Sequence, residues 1–207
     1  MKSIILIGAF SETIELCEKC GYTIEGIVDQ NIQENYYGYP VLGTDHDLVA
    51  MKESFQRFPL VLVPDVPIVR ERLYALYKDN GFRFETVISP NAIVSRSADI
   101  GEGSIVQDFC NVSAQSKIGR CVRINSCSNI MHESVIGDFA TVAPSAVVLG
   151  RCIIGSGAYI GANATILPEH TVGKHAVVGA AAVVTKNIGD RQTVVGNPAR
   201  DLKRQVF

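Results

Sequence analysis

Four histidines stand in this chain of 207 residues, and one of them, His132, is followed directly by a carboxylate, Glu133. An imidazole titrates near neutrality and can take a proton from an attacking amine or hydroxyl. A carboxylate beside it would raise its basicity and fix which ring nitrogen carries the proton. Adjacent residues on a strand point to opposite faces, so the two side chains can meet only if the chain turns a corner here. The other histidines of this half, His170 and His175, are too few and too far out of register with His132 to make a metal cluster. No metal is expected.

The elements that must position His132 are set by a repeat. From Ile88 to Val184 an Ile or Val occupies every sixth position, and a small or modest residue follows four places later, with His170 as the bulky exception. A six-residue period matches neither a helix nor plain strand alternation, but it matches a parallel β-helix in which each hexapeptide is one flat side and a turn. Gly101, Gly119, Gly137, Gly155 and Gly173 recur every eighteen residues, so three hexapeptides make one coil and the cross-section is triangular. These glycines are expected to supply positive φ at one corner. With strands ~4.8 Å apart, five or so coils give a prism roughly 25 Å tall.

In such a prism, residues eighteen apart lie above one another. The column of His132 reads Ala114, His132, Gly150, Pro168, and two others read Asn125, Ala143, Gly161, Gly179 and Ser126, Pro144, Ala162, Ala180. Walls so poor in side chains expose backbone N–H and C=O groups, which suits an extended amide-bearing ligand such as a pantetheine arm. The expectation is a bare track through Gly150, Gly161, Ala162, Gly179 and Ala180 running up to His132. The plainer alternative is that Gly and Ala merely fit tight coils.

The repeat begins only near residue 88, so the chain divides into a small α/β domain, 1–84, and a β-helix domain with a carboxyl-terminal tail, 85–207. Strands are expected at Ser3–Ile7, Thr23–Val28 and Leu60–Val63, with a possible short one at Pro40–Leu42. Helices lie between them, and the last has Val69, Leu73, Leu76 and Tyr77 on one face and Pro67 in its first turn. Ligands of such a sheet sit beyond the carboxyl ends of the strands, here Gly8, Ala9, Phe10, Ser11 and Glu12, then Asp29 and Gln30, then Pro64 and Asp65. Gly8 with Asp29 is weakly similar to a dinucleotide fingerprint, but Phe10 and Thr13 replace its second and third glycines. NAD is therefore not expected; a nucleotide-linked ligand is, with a purely structural lid as the alternative.

A net charge of −2 with interspersed signs leaves no footprint for nucleic acid or an anionic membrane. The apolar run near the amino terminus is too short for a signal peptide or a membrane span, and a cytoplasmic location is the default. Cys17 and Cys20 fall within a helical pattern without further ligands, and the six cysteines are expected as free thiols in packed sites.

The segment Asn129–Asp138 (NIMHESVIGD), the hexapeptide ladder, the tail Val195–Arg200 (VGNPAR) and the small lead domain together resemble the bacterial left-handed β-helix sugar acetyltransferases. These include bacillosamine-pathway N-acetyltransferases and sialic acid O-acetyltransferases. The resemblance implies a homotrimer with acetyl-CoA between neighbouring prisms, a nucleotide-linked amino sugar on the lead domain, and a role in bacterial surface glycan synthesis. It also implies His132 as general base, Glu133 as its support, Asn125 near the reacting group, and Thr141, Ala162 and Ala180 along the cofactor groove. Lys174, Lys186, Arg191, Arg200, Lys203 and Arg204 give the carboxyl end a basic bias suited to the phosphates of CoA. Three alternatives stay open: O-acetylation of a sialic-acid-like sugar or glycan hydroxyl, a metal-dependent hydratase on the same prism, and a non-catalytic subunit that binds a nucleotide-sugar.

Overall fold

A computed structural model describes residues 2–202. Lys203 and Arg204 lie outside the described residues. The chain opens with β1 (Ser3–Ile7), α1 (Ser11–Lys19), β2 (Thr23–Val28), the short helices α2 (Asp45–Ala50) and α3 (Lys52–Phe55), β3 (Leu60–Leu62) and α4 (Pro67–Asp79). The three strands form a parallel sheet in the order β2-β1-β3. Pro40–Leu42 adds only a single bridge, Val41 to Ile27.

Strand alternation divides β1 between two cores. Ile4 and Leu6 pack with Ile14, Leu16 and Cys17 of α1, while Ile5 and Ile7 pack with Leu73 and Tyr77 of α4. The inward stripe of α4 is Pro67, Arg70, Leu73 and Tyr77. Leu76, expected on that stripe, is 37% exposed, and Arg70 is buried instead. Both cores reach into the second half of the chain, the first through Val87 and Ile105 and the second through Cys121. Burying side chains of that size is worth about 1.5–3 kcal/mol each, so the lead domain is seated on the prism rather than tethered to it.

The second half is a left-handed parallel β-helix of triangular section. Two-residue strands stack into three sheets: a first face from Val87–Ile88 upward, a second from Ile93–Val94 and a third from Asp99–Ile100. The register is unbroken at eighteen residues, for example Arg123 against Thr141 and Asn129 against Val147. The Ile/Val of each hexapeptide points inward and, with the small residues at the corners, fills the core.

The glycine ladder has a different cause from the one expected. Gly101, Gly119, Gly137, Gly155 and Gly173 do not have positive φ, and the left-handed residue comes two places later, mostly as a non-glycine such as Cys121, Phe139 or His175. What excludes a side chain is the next coil. A Cβ on Gly137 would stand 2.5 Å from the backbone nitrogen of Ser156. The ladder marks where successive coils touch most closely.

Candidate active site

His132 and Glu133 sit on the corner between the second and third faces. Glu133 has φ 58°, which turns its side chain back toward the imidazole, and its Oε2 lies 3.0 Å from Nδ1 of His132. A carboxylate can only accept, so the proton is on Nδ1, and in the neutral ring Nε2 keeps its lone pair. The ring lies against the next coil at Gly150, where a Cβ would come within 2.6 Å of Nε2. Gly150, expected as part of a cofactor track, is buried and serves as the seat of this ring.

A second feature occupies the corner between the first and second faces. There the carboxyl ends of β1, β2 and β3 meet the prism around a cleft of about 570 Å³, within the range of small-molecule sites. Gly8, Ala9, Phe10, Glu12, Asp29, Pro64 and Asp65 line it, together with Asn125. Ser11 and Gln30 do not: Ser11 opens α1, and Gln30 turns away to hydrogen-bond Asp45 at 2.8 Å. Asp29 shapes the wall, because its two oxygens accept from the backbone N–H groups of Ala9 and Asn31 at 3.0 and 2.9 Å.

Asp65 is held in the cleft from three sides. Its Oδ1 accepts from Asn125 at 3.2 Å and faces Arg123 Nε at 3.4 Å, and its Oδ2 accepts from Tyr159 at 3.3 Å. Burial, then the Asp65 carboxylate, pushes the Tyr159 hydroxyl up in pKa. Asn125 in turn accepts from Arg123 Nε at 3.0 Å. Arg123 also donates to the carbonyl of Val63 and the hydroxyl of Thr13. Burial pulls its pKa down, against the pull of Asp65 upward.

Thr141, expected along the cofactor groove, is fully buried. Its hydroxyl accepts from Arg70 and donates to the carbonyl of Asp65, each at 2.8 Å. It therefore fixes the loop after β3 and has no surface to offer a cofactor. Arg70 completes this latch by donating to the carbonyls of Pro64, Asp65, Cys121, Phe139 and Ala140. Its guanidinium is pushed down to about 10, chiefly by burial.

The expected single track is in fact two. Gly150 belongs to the corner of His132, whereas Gly161, Ala162, Gly179 and Ala180 continue the corner of Asn125 beyond the cleft, a whole face away. Gly161 and Gly179 are packing positions, since a Cβ would meet Ala180 N at 2.6 Å and Val195 at 2.7 Å. Ala162 and Ala180 are more open, and their backbone N–H groups have no acceptor among the described residues. Within one chain, His132 does not line the cleft.

Arg123, Gln107, Ser126 and Pro144 also line the cleft; Ser126 and Pro144 belong to a column expected to form a bare wall, whereas Arg123 and Gln107 were not foreseen. A signal for Arg123 existed. The outward column of the first face reads Val87, Ile105, Arg123, Thr141, Tyr159, Val177, and a face so apolar is one that something covers. Among the described residues no group of three or more His, Cys, Asp or Glu is placed to hold a metal ion, and no helix is long and apolar enough to cross a membrane.

The model of the bacterial transferase hexapeptide family (six repeats) matches residues 133–168. No curated protein sequence matches the chain. Among solved structures, the chain is similar to the acetyltransferase domain of PglB from Neisseria gonorrhoeae FA1090, at 30% identity over 98% of this chain and 100% of that one, TM-score 0.92. It is similar to WeeI from Acinetobacter baumannii AYE, at 31% identity over 97% and 100%, TM-score 0.88. It is also similar to a histidine-to-alanine variant of GDP-perosamine N-acetyl transferase from Caulobacter crescentus in complex with CoA and GDP-perosamine, at 28% identity over 97% of each chain, TM-score 0.92. The PglB domain has also been solved in complex with acetyl coenzyme A.

Proposed function

Since the chain belongs to the bacterial left-handed β-helix, hexapeptide-repeat sugar acetyltransferases, we propose that it transfers the acetyl group of acetyl-CoA to the amino group of a nucleotide-linked amino sugar. The observation that carries the chemistry is the His132–Glu133 pair, with Nδ1 held at 3.0 Å and Nε2 free. The amine nitrogen attacks the thioester carbonyl and Nε2 takes its proton. The oxyanion is met by a backbone N–H. The carbonyl then re-forms as the carbon–sulfur bond breaks, and the imidazolium returns the proton to the CoA thiolate. Product is an N-acetyl sugar.

The nucleotide-sugar occupies the cleft formed by residues 1–84 against the prism, with Asp65 and Asn125 facing its sugar. The acetyl-CoA arm runs along the open corner at Ala162 and Ala180, where the unpartnered N–H groups suit its amide carbonyls. Of the other expected groove positions, Gly161 and Gly179 contribute by keeping this corner narrow.

Because His132 and the cleft stand on different corners of one prism, a complete site needs His132 of one copy beside the cleft of another. A closed homotrimer meets this requirement with three equivalent sites. The reaction is assigned to the cytoplasm, which supplies acetyl-CoA, and to the building of surface glycans.

The test is a coupled assay of purified enzyme with acetyl-CoA and a panel of UDP-, GDP- and dTDP-linked amino sugars, alongside sialic-acid-like hydroxyl acceptors, with products identified by mass. CoA release with an N-acetylated sugar supports the reading. Transfer only to hydroxyls, or none to any acceptor, sinks it.

A further inference from the structure

Glu133, Arg151 and Glu169 occupy the same corner position in three successive coils, with φ values of 58°, 58° and 65°. Residues in register along a β-helix edge project side by side about 4.8 Å apart, and these three alternate in charge. Arg151 reaches Glu169 Oε1 with Nε at 3.0 Å and Nη2 at 2.8 Å. Its Nη1 lies 3.7 Å from Glu133 Oε2, the same oxygen that accepts from Nδ1 of His132.

We propose that Arg151 and Glu169 form a charge ladder that sets how much negative charge Glu133 presents to the His132 imidazole. Arg151 is a positioning residue acting on Glu133, and Glu169 acts only through Arg151, by drawing the guanidinium away along the edge. The site therefore has a tuner: the more Arg151 turns to Glu169, the more strongly Glu133 favours the imidazolium.

Within one chain the surroundings of the ring are simple, and in the proposed assembly the charged groups of a neighbouring copy's cleft, Glu12, Asp29, Asp65 and Arg123, face it as well and are common to every variant compared. The preceding coil presents Ala114 and Gln115 at the equivalent positions, and the following one presents Gly150 and Arg151. Lys117, on the third face one coil earlier, is exposed. Asn129 on the second face is uncharged. His170, beside Glu169, has its Nδ1 2.7 Å from the carbonyl of Pro168. Glu133 and Arg151 are both about half exposed, so each effect is on the scale of a solvated ion pair, a few tenths of a pH unit.

The inference rests on the reading of His132 as general base for its bearing on catalysis, but not for its bearing on the ring. Its test uses ring resonances of His132, assigned by comparison with His132→Gln and followed through a pH titration of the intact protein. Arg151→Gln should move the titration of His132 to higher pH by a few tenths of a unit, and Glu169→Gln should move it lower. In the double variant the Glu169 effect should vanish, leaving the midpoint of Arg151→Gln. The acid limb of kcat/KM should follow each shift. An unmoved titration in Arg151→Gln, or a Glu169 effect that persists undiminished in the double variant, overturns the ladder. Ring titrations that move as expected while the kcat/KM profile does not would leave the ladder standing and remove His132 from its role as base.

Discussion

A methyl group at position 150 would stand 2.6 Å from Nε2 and 2.7 Å from Cε1 of His132. The imidazole is the mobile partner in that clash, so Gly150→Ala should swing it off its seat without disturbing the coil. A displacement of about 1 Å at a reacting group can cost ~10²-fold. The expected result is a fall in kcat/KM of up to that order with an unchanged melting temperature, measured by steady-state kinetics and calorimetry on the same preparation. His132→Ala removes the base itself and should lower kcat/KM by about 10² to 10⁴ with an unchanged molecular mass in solution. Glu133→Gln should cost less, because an amide oxygen can still accept from Nδ1. At this scale the sequence identified His132 and Glu133 and stated the condition for their contact, a corner between them. It could not supply the condition, which is a backbone φ.

At the scale of elements, one buried side chain of α4, Arg70, donates both to the loop before that helix and to the prism. Arg70→Met would leave the carbonyls of Pro64, Asp65, Cys121, Phe139 and Ala140 without this donor. A buried acceptor left unmatched costs about 1–3 kcal/mol, so the variant should unfold at markedly lower urea concentration. The stripe of α4 was misread because a long arginine stem fills an inward position as a leucine would.

The lead domain has a second latch. Lys19 of α1 pairs with Asp108 on the prism, and Lys19, then the Ser89 hydroxyl, hold the Asp108 carboxyl below the usual carboxylate range. A depressed folded value means that the contribution is fully present above the ordinary aspartate value of about 3.9 and is lost as pH falls through the lower folded one. Urea unfolding repeated at descending pH should therefore show a stability loss below about pH 4 that is shallower in Asp108→Asn.

At the scale of the molecule, the placement of His132 and the cleft on different corners makes a specific demand. Two variants, each strongly impaired alone, should restore activity when mixed. His132→Ala supplies an intact cleft and Asp65→Ala an intact imidazole, so subunits of the two kinds, unfolded together and reassembled, should form some wild-type sites. In random closed trimers about a quarter of the sites would be whole. No recovery in a mixture that reassembles fully would place the whole site in one chain.

The sequence by itself determined the prism, because a core residue at every sixth place and a contact at every eighteenth admit one way of stacking parallel strands. It also determined the alternation that makes the lead domain a parallel sheet, and it singled out the histidine. Only the tertiary structure decided which surfaces face outward. Thr141 and Arg123 are polar letters that a column reading takes for exposed, yet the lead domain covers the first face, and buried there they take their partners from it: Thr141 from Arg70 and Asp65, Arg123 from Val63 and Thr13. For the same reason a track that looks continuous in columns divides between two corners. The period orders residues along the prism axis, but which of them share an edge, and what lies over that edge, follows from how the two halves of the chain pack.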